Sequence, residues 1–152
     1  MAIKITSVEE SIVDNGIKAL VYGAPGAGKT RLAATAAGPN SPVLIISAEA
    51  GLLSLQDIPK EQKENLHVIN ITTFGELGEA YELLEKEHNY NWVCLDSISE
   101  IAEVVLTAEK AGAKDPRQAY GALADSMMAT LRAFRDLPHY NVYMSAKMVR
   151  FI

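Results

Sequence analysis

The sequence is short of the features that mark several protein classes. It has one cysteine, Cys94, so no internal disulfide can form, which suits a reducing compartment. Cys94 sits in the apolar run Trp92-Val93-Cys94-Leu95, the setting of a buried and inert thiol. Basic residues are not in excess: 14 Lys and Arg face 19 Asp and Glu, for a net charge of -5. That balance argues against a standalone, strongly basic nucleic-acid binder, while leaving room for a local or nucleotide-gated basic patch. No apolar run approaches the ~18 residues that a membrane span needs. The opening Met1-Ala2-Ile3-Lys4-Ile5-Thr6 lacks the apolar stretch of a secretory signal. Repeats, low-complexity stretches and long linkers are also missing. The expected location is therefore the cytoplasm, with no membrane partner.

What is present fits one domain over residues 1–152, with 49% hydrophobic residues for a core and 22% charged residues for a solvated surface. Apolar runs alternate with helical patterns. Residues 3–6 are expected to form a short strand. Ser7 and Glu10 form a capping box opening a short helix or turn, and Asp14-Asn15-Gly16 is a turn signal. Residues 18–22 read as a buried strand, followed by a glycine-rich loop and a helix over residues 29–37 that stops at Gly38 and Pro39. Further strands are expected over residues 43–47, 66–71, 92–95 and 141–145. Thr73 and Glu76 cap a helix with Phe74, Leu77, Tyr81 and Leu84 on one face. Ser97 and Glu100 cap the next, with Ile101, Val104, Val105 and Ala108 as its apolar face. After a polar loop, Leu123, Met127, Leu131 and Phe134 mark a long amphipathic helix that Pro138 ends. Alternation of strand and helix predicts an α/β fold: a mostly parallel sheet flanked by helices. Ligands of such sheets bind at the carboxyl ends of the strands.

The segment Gly23-Ala24-Pro25-Gly26-Ala27-Gly28-Lys29-Thr30 fits the phosphate-loop pattern G-x-x-x-x-G-K-[ST] in full. It stands between a strand and a helix, the setting that pattern needs. Its glycines let backbone N–H groups converge on phosphate oxygens. Lys29 is expected to reach the β- and γ-phosphates of ATP, and Thr30 to offer its hydroxyl to Mg²⁺. Pro25 stiffens the loop. Asp96 ends an apolar strand, the Walker B arrangement, where a carboxylate joins Thr30 at the metal. Glu49 follows the strand over residues 43–47, where a carboxylate can act as base toward the attacking water. Ser97, and not an acid, follows Asp96, which turns attention to Glu49 as the catalytic base.

Together the phosphate loop, Ser47-Ala48-Glu49 and Leu95-Asp96-Ser97 resemble the RecA family of P-loop ATPases. A closer likeness is to phage-encoded, core-only RecA-like ATP-binding proteins of single-strand annealing and recombination. It is carried also by Ala19-Leu20-Val21-Tyr22, Ile46, Ala50-Gly51-Leu52, Val93-Cys94, Ile98 and Arg117-Gln118-Ala119-Tyr120-Gly121. This resemblance implies a RecA-like fold, catalysis by Glu49 and Lys29, ATP and Mg²⁺ as cofactors, single-stranded DNA as a partner, and homo-oligomers through the ATP site. It also implies a γ-phosphate sensor at the end of the fifth strand, for which Ser145 and Lys147 are the candidates. RecA-like cores continue past that strand, whereas this chain stops at Phe151-Ile152 and so reads as a C-terminally truncated core; if phage-encoded, it would work in the host cytoplasm.

Other readings stand beside this one. The Gly-x-Pro-Gly-x-Gly-Lys-Thr form of the loop is common in AAA-type mechanical ATPases, against which stand Ser97 and the lack of a recognisable lid. A binding module without hydrolysis is another reading. His67, His88 and His139 are scattered without metal-ligand spacing. Met127 reads as core, and Arg117 and Tyr120 as a helix start or a contact to nucleotide, DNA or a neighbour.

Overall fold

The computed structural model describes residues 3–13, 16–24, 27–48, 55–87, 89–111 and 114–148. In chain order the elements are α1 (Val8–Val13), β1 (Lys18–Gly23), α2 (Lys29–Ala34), β2 (Val43–Ser47), α3 (Lys60–Glu64) and β3 (Leu66–Asn70). They continue with α4 (Phe74–Lys86), β4 (Trp92–Asp96), α5 (Ile98–Ala111), α6 (Pro116–Arg135) and β5 (Asn141–Lys147). The strands form one five-stranded sheet in the order β1-β5-β4-β2-β3. Every pairing in it is parallel.

Period-two alternation sorts the strand residues between two cores. Leu44, Ile46, Val93, Leu95, Val142 and Met144 face the cluster built with Leu77, Leu84, Ile101, Val105 and Phe134 from α4, α5 and α6. Val43, Ile45, Cys94 and Tyr143 face the smaller cluster built with Ala33 and Ala34 from α2. All five residues of β2 are buried, as expected of a strand covered on both faces. The alanines of α2 let that short helix lie close to the sheet.

The predicted caps form. Thr73 Oγ1 accepts from the Glu76 N–H at 3.2 Å, and Ser97 Oγ accepts from the Glu100 N–H at 3.2 Å. Ser7 Oγ accepts from the Glu10 N–H at 3.1 Å. Four sequence expectations need correction. Residues 18–22 form a strand but not a buried one: β1 is an edge strand, and its Leu20 and Tyr22 are exposed. Residues 3–6 are not a strand: Ile3 is 93% and Ile5 92% exposed, with no adjacent strand to bond among the described residues. The helix after the phosphate loop ends at Ala34, because Ala36 and Ala37 donate to Ala33 and Ala34, a tighter i to i−3 turn ahead of Gly38. On α5, Ile101 and Val105 are buried but Ala108 is exposed. Helix α3 was not anticipated; it has no buried residue and so leaves no apolar stripe in the sequence.

Two long-range ties fix β1. The Asn141 Oδ1 accepts from the Ile17 N–H at 2.8 Å. The Lys18 ammonium donates to the carbonyls of Leu137 at 2.6 Å and Tyr140 at 2.8 Å. Burial lowers the Lys18 pKa, against the pull of the Asp136 carboxylate. Gly16 is needed for room, since a Cβ there would lie 2.4 Å from the Tyr140 carbonyl oxygen.

Phe134 is fully buried and meets Tyr81 edge-on at 5.3 Å. Phe134→Ala is expected to cost about 3–5 kcal/mol of unfolding free energy. Thr73→Ala, which removes one exposed cap, is expected to cost about 1 kcal/mol. Urea unfolding checks the ordering; a Phe134→Ala midpoint no lower than that of Thr73→Ala would contradict this placement of the core.

Candidate nucleotide-binding site

The phosphate loop opens where β1 ends at Gly23, which lies beside Lys147 in the parallel register. It closes at Gly28, the N-cap of α2, with φ 95° and ψ 21°. That left-handed backbone explains the glycine, because a Cβ there would meet nothing within 4 Å. The Ala27 N–H turns back to the Ala24 carbonyl at 3.2 Å. The Lys29 ammonium donates to the carbonyls of Gly23 at 2.7 Å and Ala24 at 3.1 Å, so its charge sits over the mouth of the loop. Pro25, Gly26 and Glu49 lie outside the described residues.

Asp96, at the carboxyl end of β4, gathers the neighbouring elements. Its Oδ2 accepts from Thr30 Oγ1 at 2.7 Å and its Oδ1 accepts from Ser145 Oγ at 2.7 Å. One donor comes from α2 and the other from β5. A second tie runs alongside: the Tyr143 hydroxyl donates to the Lys29 carbonyl at 2.8 Å. Its phenol is pushed up to about 12 by burial first, then by the charge of Asp96 and by Cys94. The Cys94 thiol is also pushed up to about 12, by burial and then by Asp96, so it stays protonated and inert as its apolar run implies. Ser97 is buried and its hydroxyl caps α5.

Lys147 ends β5. Its N–H donates to Ser99 Oγ at 3.0 Å, and its ammonium pairs with the Glu100 carboxylate. Lys147 thus stands next to the loop, with its charge engaged by the first turn of α5. The structure therefore brings Lys29, Thr30, Asp96 and Ser145 together, with Lys147 at the margin. Sequence reasoning missed Tyr143. Its signal was its spacing of two from Ser145, which puts both on the same side of β5.

A threonine hydroxyl and an aspartate carboxylate are hard oxygen ligands, suited to Mg²⁺. No group of three or more His, Cys, Asp or Glu side chains among the described residues could hold a metal. A cation here would take Thr30 and Asp96 from the protein and its other ligands from phosphate and water. The residues fit Mg²⁺ bound with a nucleotide.

The remaining candidates take ordinary places. His67 Nδ1 bonds the Tyr90 hydroxyl at 2.7 Å on the surface. The Arg117 N–H donates to Asp115 Oδ1 at 3.0 Å, a helix start. Met127 is buried in the larger core. Among the described residues, no helix is long and apolar enough to cross a membrane.

A search of curated proteins found no match to the chain. A sequence family described as an AAA domain matches residues 15–150. That span takes in the whole sheet, the phosphate loop and the acid that Thr30 and Ser145 share, and the chain belongs to the AAA domain family, a P-loop domain of the ATPase type.

Proposed function

We propose that the chain binds Mg-ATP between the phosphate loop and Asp96 and hydrolyses it in RecA fashion, acting on single-stranded DNA in recombination or strand annealing of the phage type. The observation that carries the nucleotide part is the 2.7 Å hydrogen bond from Thr30 to Asp96, which joins the phosphate loop to the acid-bearing strand. The DNA part is supported by the resemblance of the segments around Glu49, Asp96 and Arg117 to phage RecA-like proteins.

In this reading, backbone N–H groups of residues 23–30 hold the phosphates. Lys29 exchanges its two carbonyl partners for β- and γ-phosphate oxygens, a stronger, charge-assisted pairing. Thr30 and Asp96 hold Mg²⁺, which when bound neutralises charge on the phosphate oxygens. Glu49 takes a proton from water as the water oxygen attacks the γ-phosphorus and the bond to the bridging oxygen breaks. Ser47, two residues before Glu49 in sequence, lies opposite Asp96 in the register of β2 and β4. Lys147 beside Gly23 exchanges Glu100 for the γ-phosphate. Assembly into oligomers through the ATP site would let a neighbouring subunit add positive charge there.

A second reading is an AAA-type ATPase that uses another base. The family match favours it. Against it, the position after Asp96 is a buried serine committed to capping α5. A nucleotide-binding module without turnover is the third.

Two measurements test these readings. Lys29→Ala is expected to weaken ATP binding about 10- to 100-fold, the loss of a hydrogen-bonded charge. Lys147→Ala is expected to weaken ATP but leave ADP affinity intact. Titration with labelled nucleotides checks both, and retained ATP affinity in Lys29→Ala would refute the site. In steady-state turnover with and without single-stranded DNA, Glu49→Gln is expected to bind ATP normally and to hydrolyse it about 100-fold or more slowly. Unchanged hydrolysis in that variant would favour the AAA-type reading, and tight binding without turnover by the unaltered chain would select the binding module. Turnover indifferent to DNA would remove the DNA role.

A further inference from the structure

Strand β5 lies between the phosphate-loop strand β1 and the acid-bearing strand β4. From that place it presents two hydroxyls on one side, two residues apart. Tyr143 fastens the Lys29 carbonyl and Ser145 fastens Asp96. Ser145 is completely buried. Its hydroxyl is 2.7 Å from Asp96 Oδ1 and also lies 3.5 Å from the Leu95 carbonyl, beneath the carboxylate and away from solvent.

A terminal carboxylate turns easily about its last torsion, which is broad and roughly two-fold. Asp96 is held against that rotation by donors on opposite oxygens: Thr30 on Oδ2 and Ser145 on Oδ1. The Thr30 hydroxyl is one that metal binding would recruit. The Ser145 hydroxyl belongs to the buried wall, away from solvent. We infer that Ser145 is a positioning residue, which sets the metal affinity of the site by orienting Asp96, and is not a direct sensor of the γ-phosphate. This rests on the proposed metal role of Asp96.

Removing such an outer partner of a metal-ligating carboxylate lowers metal affinity by about 10- to 100-fold. The experiment uses the full chain and a fluorescent non-hydrolysable ATP analogue. Analogue affinity is measured across a Mg²⁺ titration and in EDTA, for the unaltered protein, Ser145→Ala and Asp96→Asn. Ser145→Ala is expected to raise the Mg²⁺ concentration for half-maximal enhancement by about tenfold or more. Its affinity in EDTA is expected to equal that of the unaltered chain, which also reports an intact loop. Asp96→Asn is expected to lose the Mg²⁺ enhancement. An unshifted Mg²⁺ midpoint in Ser145→Ala, with enhancement lost in Asp96→Asn, would overturn the positioning role alone. Weakened binding of Ser145→Ala in EDTA would overturn it in favour of direct contact or a structural role. Full enhancement in Asp96→Asn would overturn the metal assignment and this inference with it.

Discussion

The Asp96 carboxylate, held between the hydroxyls of Thr30 and Ser145, is the interaction on which the rest of the site depends. It joins the helix after the phosphate loop, the acid strand and the strand between them. Removing any one of the three side chains would leave an oxygen of a partly buried carboxylate or a hydroxyl without its partner. Such losses cost more than the bond itself contributes, because a buried polar group cannot recover water.

The topology makes this meeting geometrically simple. Adjacent strands of a sheet lie about 4.8 Å apart. With β5 between β1 and β4, the loop and the acid are about two strand spacings from each other. Thr30 closes that gap from the first turn of α2, and Tyr143 holds the same turn down through the Lys29 carbonyl. The packed faces keep the strand ends in place. Val93, Leu95 and Val142 are locked against α4, α5 and α6, and Ile45 and Cys94 against α2. A site built on strand ends inherits the rigidity of the core beneath it. The phosphate loop is secured at both ends, by the β1–β5 ladder and by the Asp96 bond, with Gly28 supplying a left-handed turn at the start of α2.

Much of this was legible in the sequence because it is local. The phosphate loop is a contiguous pattern, the caps at Ser7, Thr73 and Ser97 act over three residues, and the strands show as short apolar-rich runs. The order of the strands was not legible. Whether residues 141–147 lie beside β1 or at the far edge is decided by packing across more than a hundred residues. The partner of Ser145 was hidden for the same reason, so its polar position at a strand end suggested a phosphate contact and not a bond to Asp96. Lys147 was a candidate γ-phosphate sensor by its place at the strand end, and only the fold shows its pairing with Glu100 in the first turn of α5. The isoleucines at 3 and 5 carry strand-like alternation without a neighbouring strand, and alternation alone does not make a ladder.

The chain belongs to the AAA domain family, and the nucleotide site proposed for it centres on Asp96 at the carboxyl edge of the sheet. The most direct test is a double-mutant cycle on the Mg²⁺-dependent part of ATP affinity, using Thr30→Val, Asp96→Asn and the double variant. If the two groups act as one unit at the metal, the double variant loses about as much as the more damaged single variant. Losses that simply add would mean that Thr30 and Asp96 act independently, and would contradict the account.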